Sequence, residues 1–304
     1  MLKVKGTEVI IEDFSGLIRG DPLTWVLKGL AELAEKAFLD GDYFSLIEPW
    51  LSSFEELIYK LDPRLYDVTV ARSAKPSRAD KVMHLSSYAL IIMDGLSFRE
   101  AFLLKQDFNK WNLNVECDCA PLPTDTKFFS LRYLGAESPS ELKMRRNPLF
   151  HFEEIVTKED VLSISPFTED KVIMWVREPD KTLHQFRERF RIRDLLQAYT
   201  KAKDPAEALI NILLERFQEV YLTSDHGYIT DPFSWKNLKD FPSDLRYALN
   251  IPESIKPYCK KCGDYWMLLG RFNTVKRGRH SNTRHGGLSL IEALTPFITI
   301  SKLT

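Results

Sequence analysis

The stretch YALIIMDG, residues 88–95, decides how the rest of the chain is read. It is a short apolar run closed by an aspartate and a glycine. A strand with one wet face alternates polar and apolar residues, whereas a strand covered on both faces is apolar throughout. Similar runs follow: LNVECDC (113–119), KVIMWV (171–176), EVYLTSDHG (219–227), YWMLLGRF (265–272) and FITI (297–300). Between several of them lie helical patterns: FREAFLLKQDF, TLHQFRERFRIRDLLQAYTKA and PAEALINILLERF. Buried strands alternating with helices predict an α/β fold, a sheet with helices on both faces.

Upstream, the first 80 residues read as a helical N-terminal region. Residues 24–39 place Trp25, Leu27, Leu30, Leu33, Ala34 and Phe38 near one face at helical spacing. Residues 45–61 repeat that pattern but contain Pro49, which predicts two pieces. The segment ARSAKPSRADK, 71–81, is polar, basic and poor in apolar residues, and reads as a linker to a second unit over 81–304. Within that unit, residues 228–284 are richer in Pro, Cys and basic groups, as expected of an insertion or cap.

The formal net charge of −1 gives no global basic field directed at nucleic acid or membrane. No run approaches the roughly 18 apolar residues needed to span a bilayer. The N-terminus carries an acidic residue in its only apolar run and does not read as a signal peptide, so a cytoplasmic location is expected. The four cysteines fall in two close pairs, Cys117/Cys119 and Cys259/Cys262, a spacing that suits metal better than a disulfide framework.

In open α/β sheets reactive groups gather at the carboxyl ends of strands. Asp94 ends one run beside Gly95, and Asp225, His226 and Gly227 end another. Carboxylate and imidazole together suit zinc. Asp180 and His184 follow the run at 171–176; on a helix, positions i and i+4 share a face and can grip one ion. His285 precedes two glycines and a helical run. Thr124 and Thr126, in APLPTDTKFF, each offer a hydroxyl that a divalent cation would activate as a nucleophile. Each residue also has an ordinary role as a turn or capping group, and the set is what points to two adjacent metal sites.

At these residues the sequence resembles the alkaline phosphatase superfamily and, within it, the PglZ domain. The ordered landmarks are IIMDGLSF, PLPTDTKFFSLRYLGA, PDKTLH, TSDHG and RHGGLSLIEALTPF, spread over roughly residues 86–304. The resemblance implies an alkaline-phosphatase-like, mostly parallel sheet flanked by helices. It implies one metal held by Asp180, His184 and His285, and another held by Asp94, Asp225, His226 and the Thr126 hydroxyl. It selects Thr126 over Thr124 as the nucleophile, and zinc as the usual metal. A sulfatase is disfavoured because no Cys/Ser-x-Pro-x-Arg motif appears.

Where relatives carry a phosphate-touching residue after the nucleophile, this chain has Lys127; Arg271, Arg279 and Arg284 are further candidates for phosphate oxygens. All four cysteines could hold a structural zinc, and Cys259/Cys262 alone a redox disulfide. The run Lys256, Tyr258, Lys260, Lys261, Trp266, Arg271, Phe272, Lys276, Arg277 and Arg279 would suit a single strand by stacking and charge. The expected function is a two-metal phosphodiesterase acting on a nucleotide or oligonucleotide. A phosphomonoesterase, or a non-catalytic nucleic-acid- or protein-binding module in phage defence or signalling, are the rivals. A homodimer or partner proteins of such a pathway are expected to dock on the N-terminal helices.

Overall fold

The computed structural model describes residues 2–4, 7–9, 28–32, 34–35, 43–61, 63–145, 149–186, 191–275 and 282–303. Six strands form the central sheet: β1 (Tyr88–Met93), β2 (Trp111–Cys119), β3 (His151–Ile155), β4 (Lys171–Val176), β5 (Glu219–Ser224) and β6 (Leu294–Lys302). Their spatial order is β2-β6-β5-β1-β4-β3. β1 runs parallel to β4 and β5, and β3 parallel to β4, whereas β6 is antiparallel to both β5 and β2. The sheet is therefore mostly parallel, as expected. β3 (HFEEI) is an edge strand with mixed polarity, which is why no apolar run announced it.

Successive residues of β1 enter different cores. Ala89, Ile91 and Met93 pack with Val172, Met174 and Val176 against three helices: α1 (Tyr43–Leu61), α2 (Phe98–Asp107) and, downstream, Arg193–Leu214. Tyr88, Leu90 and Ile92 pack with Ile173, Trp175 and Phe297 against Phe129 and Leu142 on the other face. The unbroken apolar pattern of YALIIM is the signature of this double coverage.

Helix α1 corrects the expectation at Pro49, because it runs unbroken from Tyr43 to Leu61. An interior proline costs ~3 kcal/mol. Phe44, Ile47, Trp50, Leu51, Phe54 and Ile58 are buried along the same helix, and each contributes about 1.5–3 kcal/mol. Packing outweighs the missing hydrogen bond. The same balance carries the helix Arg193–Leu214 through the buried Pro205, merging patterns that read as two. Leu30, Trp50 and Phe54 share one cluster with Ala89, Leu195 and Ile298, so the N-terminal helices and the sheet have a common core. Trp25, Leu27, Leu33 and Phe38 lie outside the described residues.

The segment 71–81 is structured rather than a bare linker. Helices Leu65–Ser73 and Arg78–Met83 occupy its two ends, and Asp118 Oδ2 on β2 accepts from Arg78 N at 2.7 Å. The described residues of 228–284 include a three-stranded antiparallel sheet, in the order 247–248, 265–268, 259–262, and share an apolar cluster with Tyr66, Leu288 and Ala293. The run YWMLLGRF is not one strand. It breaks at Gly270, whose φ of 46° suits glycine, into Tyr265–Leu268 and Phe272–Thr274. No helix among the described residues is long and apolar enough to cross a membrane.

Candidate active site

β1 and β5 lie side by side and end together, which brings Asp94 next to Asp225 and His226. Gly95 turns the chain with φ 75°, and any Cβ there would stand 2.9 Å from Asp180 Cβ. Asp225 Oδ1 accepts from Gly95 N at 3.0 Å and from His226 N at 2.9 Å, so one carboxylate oxygen locks both strand ends. Gly227 is equally constrained, since a Cβ there would fall 2.0 Å from Ile291 O. The His226 ring places Nδ1 2.9 Å from Gly227 O. With the proton on Nδ1, Nε2 keeps its lone pair on the side facing Asp94 and Thr126.

β4 ends into the short helix Asp180–Leu183, and Asp180 N donates to Asp94 O at 3.0 Å. His184 Nε2 stands 3.1 Å from Asp180 Oδ2, as the i, i+4 spacing predicts. His285 follows the strand Thr283–Arg284 and precedes Gly286, whose φ is 96°. Its ring stacks on His226 at 4.1 Å between centroids and meets His184 edge-on at 5.7 Å.

The structure thus gathers two donor sets, Asp94/Asp225/His226 and Asp180/His184/His285, each with ligand atoms within 4.8 Å of one another. Among the described residues these are the groups able to hold a metal ion. Their chemistry fits a divalent cation: carboxylates and imidazoles converge, and His285 Nδ1 is buried with no hydrogen-bond partner. Burial, with Asp225 and Asp180 nearby, pushes the Asp94 carboxyl well above its usual range. Burial opposes the charge on His226, yet Asp225, Asp180 and Asp94 together raise it to about 9. Burial also works against Asp180, but its hydrogen bond to His184 and the nearby imidazoles hold it below the carboxylate range.

Thr126 opens helix α3 (Thr126–Tyr133), which Asp125 caps by accepting from Lys127 N. Its Oγ1 lies 2.6 Å from Asp225 Oδ2, 3.2 Å from His226 Nε2 and 3.4 Å from Asp94 Oδ1. Thr124 does something else. Its hydroxyl donates to Gly287 O at 2.8 Å and accepts from Gly286 N at 3.1 Å, tying the threonine loop to the loop of His285.

The remaining candidates separate. Lys127 is exposed and faces Glu137 Oε2 at 3.3 Å. Arg271 is fully buried, with Glu48 at 3.0 Å and Glu55 at 3.4 Å, so its charge is spent inside the core rather than on a substrate. Arg284 is buried next to His285; Nη1 donates to Asp244 O at 3.4 Å, while Nε and Nη2 have no hydrogen-bond partner. Arg279, Lys276 and Arg277 lie outside the described residues.

The four thiols are not assembled. Cys117 and Cys119 sit on β2 of the main sheet, while Cys259 and Cys262 sit at the two ends of one strand of the small sheet. Cys259 and Cys262 stand about 10 Å apart on opposite faces of that strand, beyond the roughly 7 Å that a disulfide spans. All four are free. In the basic and aromatic run, Phe272 is buried, Lys260 pairs with Asp67, and Lys256 and Lys261 approach the Trp266 ring at 5.5 and 6.0 Å.

Sequence reasoning missed Trp175, Arg246 and Glu292. Trp175 Nε1 donates to Asp94 Oδ2 at 3.3 Å. Glu292 accepts from Gly287 N and Ser289 N, both at 3.1 Å, and pairs with the buried Arg246. Arg246 in turn fills the space where a side chain on Gly287 would be. The Ser289-x-x-Glu292 spacing is a capping-box pattern and could have flagged Glu292. Arg246 is a lone arginine in a loop and carries no such signal.

No family model matches the sequence, and no curated protein matches it. Among solved structures, murine ectonucleotide pyrophosphatase/phosphodiesterase 5 is similar at 12% identity and a TM-score of 0.45, over 70% of this chain and 87% of that one. The human protein of the same name is similar at 10% identity and a TM-score of 0.45, over 70% and 87%. The phosphonoacetate hydrolase of Sinorhizobium meliloti, bound to phosphonoacetate, is similar at 12% identity and a TM-score of 0.30, over 70% and 65%.

Proposed function

We propose that this chain is a two-metal phosphodiesterase of the alkaline phosphatase superfamily, of the PglZ type, using Thr126 as nucleophile on a nucleotide-type substrate. The observation that carries this reading is the position of Thr126 Oγ1 among Asp94, Asp225 and His226, with Asp180, His184 and His285 alongside. Asp94, Asp225 and His226 would hold one divalent cation and Asp180, His184 and His285 the other, with zinc the first choice. Bound there, the two cations would supply charge neutralisation for the attacking and leaving oxygens. Thr126 Oγ1 forms the new P–O bond as the bond to the leaving alkoxide breaks, giving a phosphothreonine. Water then displaces Thr126 from phosphorus and restores the hydroxyl.

The protein's own part is positioning. Asp225 orients the Thr126 hydroxyl through their 2.6 Å hydrogen bond. Thr124 holds the nucleophile loop against the His285 loop. Phe128, Tyr247 and Tyr265 make mutual edge-to-face contacts at 5.2–5.6 Å beside Thr126, and Tyr247 also packs on Gly286. Half-buried rings at the rim of a phosphate site suit a nucleobase. The PglZ resemblance carries the association with phage defence.

Arg284 favours a second reading. Its two uncommitted nitrogens, one residue from His285, suit the extra terminal oxygen of a phosphomonoester. Hydrolysis of bis-p-nitrophenyl phosphate and p-nitrophenyl phosphate, with zinc or manganese, separates the readings. Diester turnover abolished by Thr126→Ala supports the first, and monoester preference supports the second. A folded, metal-loaded protein that turns over neither would overturn both.

A further inference from the structure

The basic segment 71–84 carries Arg72, Lys75, Arg78 and Lys81 against a single carboxylate, Asp80, in a chain whose net charge is −1. The structure folds this segment against helix α3, the helix that begins with Thr126. Arg132 Nη1 and Nη2 donate to Ser73 O at 2.7 Å and Lys75 O at 3.0 Å, and Tyr133 Oη donates to Ser77 Oγ at 2.8 Å. Between the two elements opens a cavity of about 530 Å³, lined by Ala74, Pro76, Asp80, Lys81, His84 and Arg132. That volume lies in the range of small-molecule sites.

The charges in and around the cavity do not cancel. Arg78 is taken by Glu116 at 2.7 Å. Asp80 is already committed, capping its own helix through Ser77 N at 2.6 Å and facing Arg132 at 3.3 Å. Lys81 in the wall and Lys75, between the lining residues Ala74 and Pro76 in the chain, have no ion pair among the described residues, and both are exposed. Ala74 and Pro76 give the cavity an apolar side, and the half-exposed Leu85 and Leu131 stand next to His84 and Arg132 in the chain. Uncompensated cations around an apolar wall suit an anion carried on an organic body. Arg132 lies six residues along α3 from Thr126, about 9 Å of helix rise.

We propose that this cavity is an accessory phosphate site, separate from the metal centre, which takes a phosphate group carried on an organic moiety. Two sources share that chemistry: a second phosphate of an oligonucleotide whose scissile bond lies at Thr126, or the phosphate of a free nucleotide. The strand source rests on the proposed hydrolase function, whereas the site itself does not.

The test is calorimetric titration of inorganic phosphate, thymidine monophosphate and a thymidine tetranucleotide into metal-loaded wild type, Lys75→Glu/Lys81→Glu and Lys75→Arg/Lys81→Arg. Both lysines are exposed, so the variants should keep the wild-type circular dichroism and metal content. The expected result is at least a tenfold weaker affinity in the glutamate variant and recovery in the arginine variant. For the tetranucleotide, the slope of log affinity against log salt should also fall by about 1.4 for two lost contacts. Weakening of the tetranucleotide alone identifies the strand, and equal weakening of the monophosphate identifies a free nucleotide. Equal affinities in wild type and glutamate variant for all three probes would overturn the proposal. Turnover of bis-p-nitrophenyl phosphate, which has no second phosphate for the cavity, reports separately on the metal centre and is expected to be unchanged by either variant.

Discussion

Thr126 Oγ1 lies 2.6 Å from Asp225 Oδ2, and Asp225 Oδ1 in turn accepts from Gly95 N at 3.0 Å. One carboxylate therefore positions the hydroxyl with one oxygen and the turn behind Asp94 with the other. The second threonine of the motif, Thr124, has its hydroxyl committed to Gly286 N and Gly287 O.

The two threonines should separate on substitution. Thr126→Ala is expected to lower turnover by about a thousandfold or more with little change in melting temperature, because it removes the proposed nucleophile and leaves the packing alone. Thr124→Ala should cost about 1–3 kcal/mol of stability by stranding two buried backbone groups. Turnover and thermal melts on both variants check this; a Thr126→Ala protein with wild-type turnover would sink the assignment.

Removing metal should destabilise the protein as well as silence it. Asp94, Asp225 and His226 are buried, and without a cation the neighbouring carboxylates repel one another. Divalent metal at a hundredfold excess over its dissociation constant should add about 2.7 kcal/mol. Melting curves with chelator and with added zinc or manganese are the measurement. The rise should shrink in an Asp94→Asn/Asp225→Asn protein, which keeps only the Asp180/His184/His285 set.

Trp175 is expected to act as a positioning residue. Its indole N–H holds Asp94 Oδ2, leaving Oδ1 towards Thr126 and His226. Trp175→Phe keeps a ring in the core but drops that hydrogen bond, and metal affinity should fall by about 10–100-fold. Competition with a chromogenic chelator reads this without any turnover assay, and unchanged affinity would count against it.

Glu55 should make stability fall as pH rises. Burial pushes its carboxyl up from 4.5 to about 7, against the pull of Arg271 and Leu290 N. A raised folded-state value means that the folded protein holds the proton more tightly than the unfolded chain does. The stabilisation is complete below pH 4.5 and is lost as pH climbs through 7, about 3 kcal/mol in all. Glu55→Gln, which needs no proton, should flatten this part of the profile. Urea denaturation between pH 5 and pH 8 tests it, and parallel profiles for the two proteins would refute it.

Gly227→Ala should not fold stably, because its Cβ would stand 2.0 Å from Ile291 O, a backbone atom that cannot step aside. Gly263→Ala meets nothing within 4 Å and is the milder control, despite its φ of 57°. Soluble yield and circular dichroism of the two variants provide the comparison.

Much of the fold was legible because it is written in local periodicity. YALIIM is apolar at every position because its alternate residues enter two cores, and that pattern survives in the sequence alone. Asp180 and His184 share a helical face by spacing, and Asp94 and Asp225–His226 end apolar runs, so the donors of the site could be named before their distances were known. What the sequence could not weigh was the strength of distant partners. Pro49 read as a break and the stretches around Pro205 as two separate helical patterns, but packing from other elements carries both helices through. Arg271 read as one candidate for phosphate oxygens until Glu48 and Glu55, more than two hundred residues earlier, claimed its charge. The cysteine pairs read as able to share one zinc, yet they belong to different sheets. Thr124 and Thr126, identical in chemistry and two residues apart, differ only in their surroundings, Gly286 and Gly287 for the first and Asp225 and His226 for the second. Local pattern sets which face a residue presents, and the tertiary structure decides what stands opposite it.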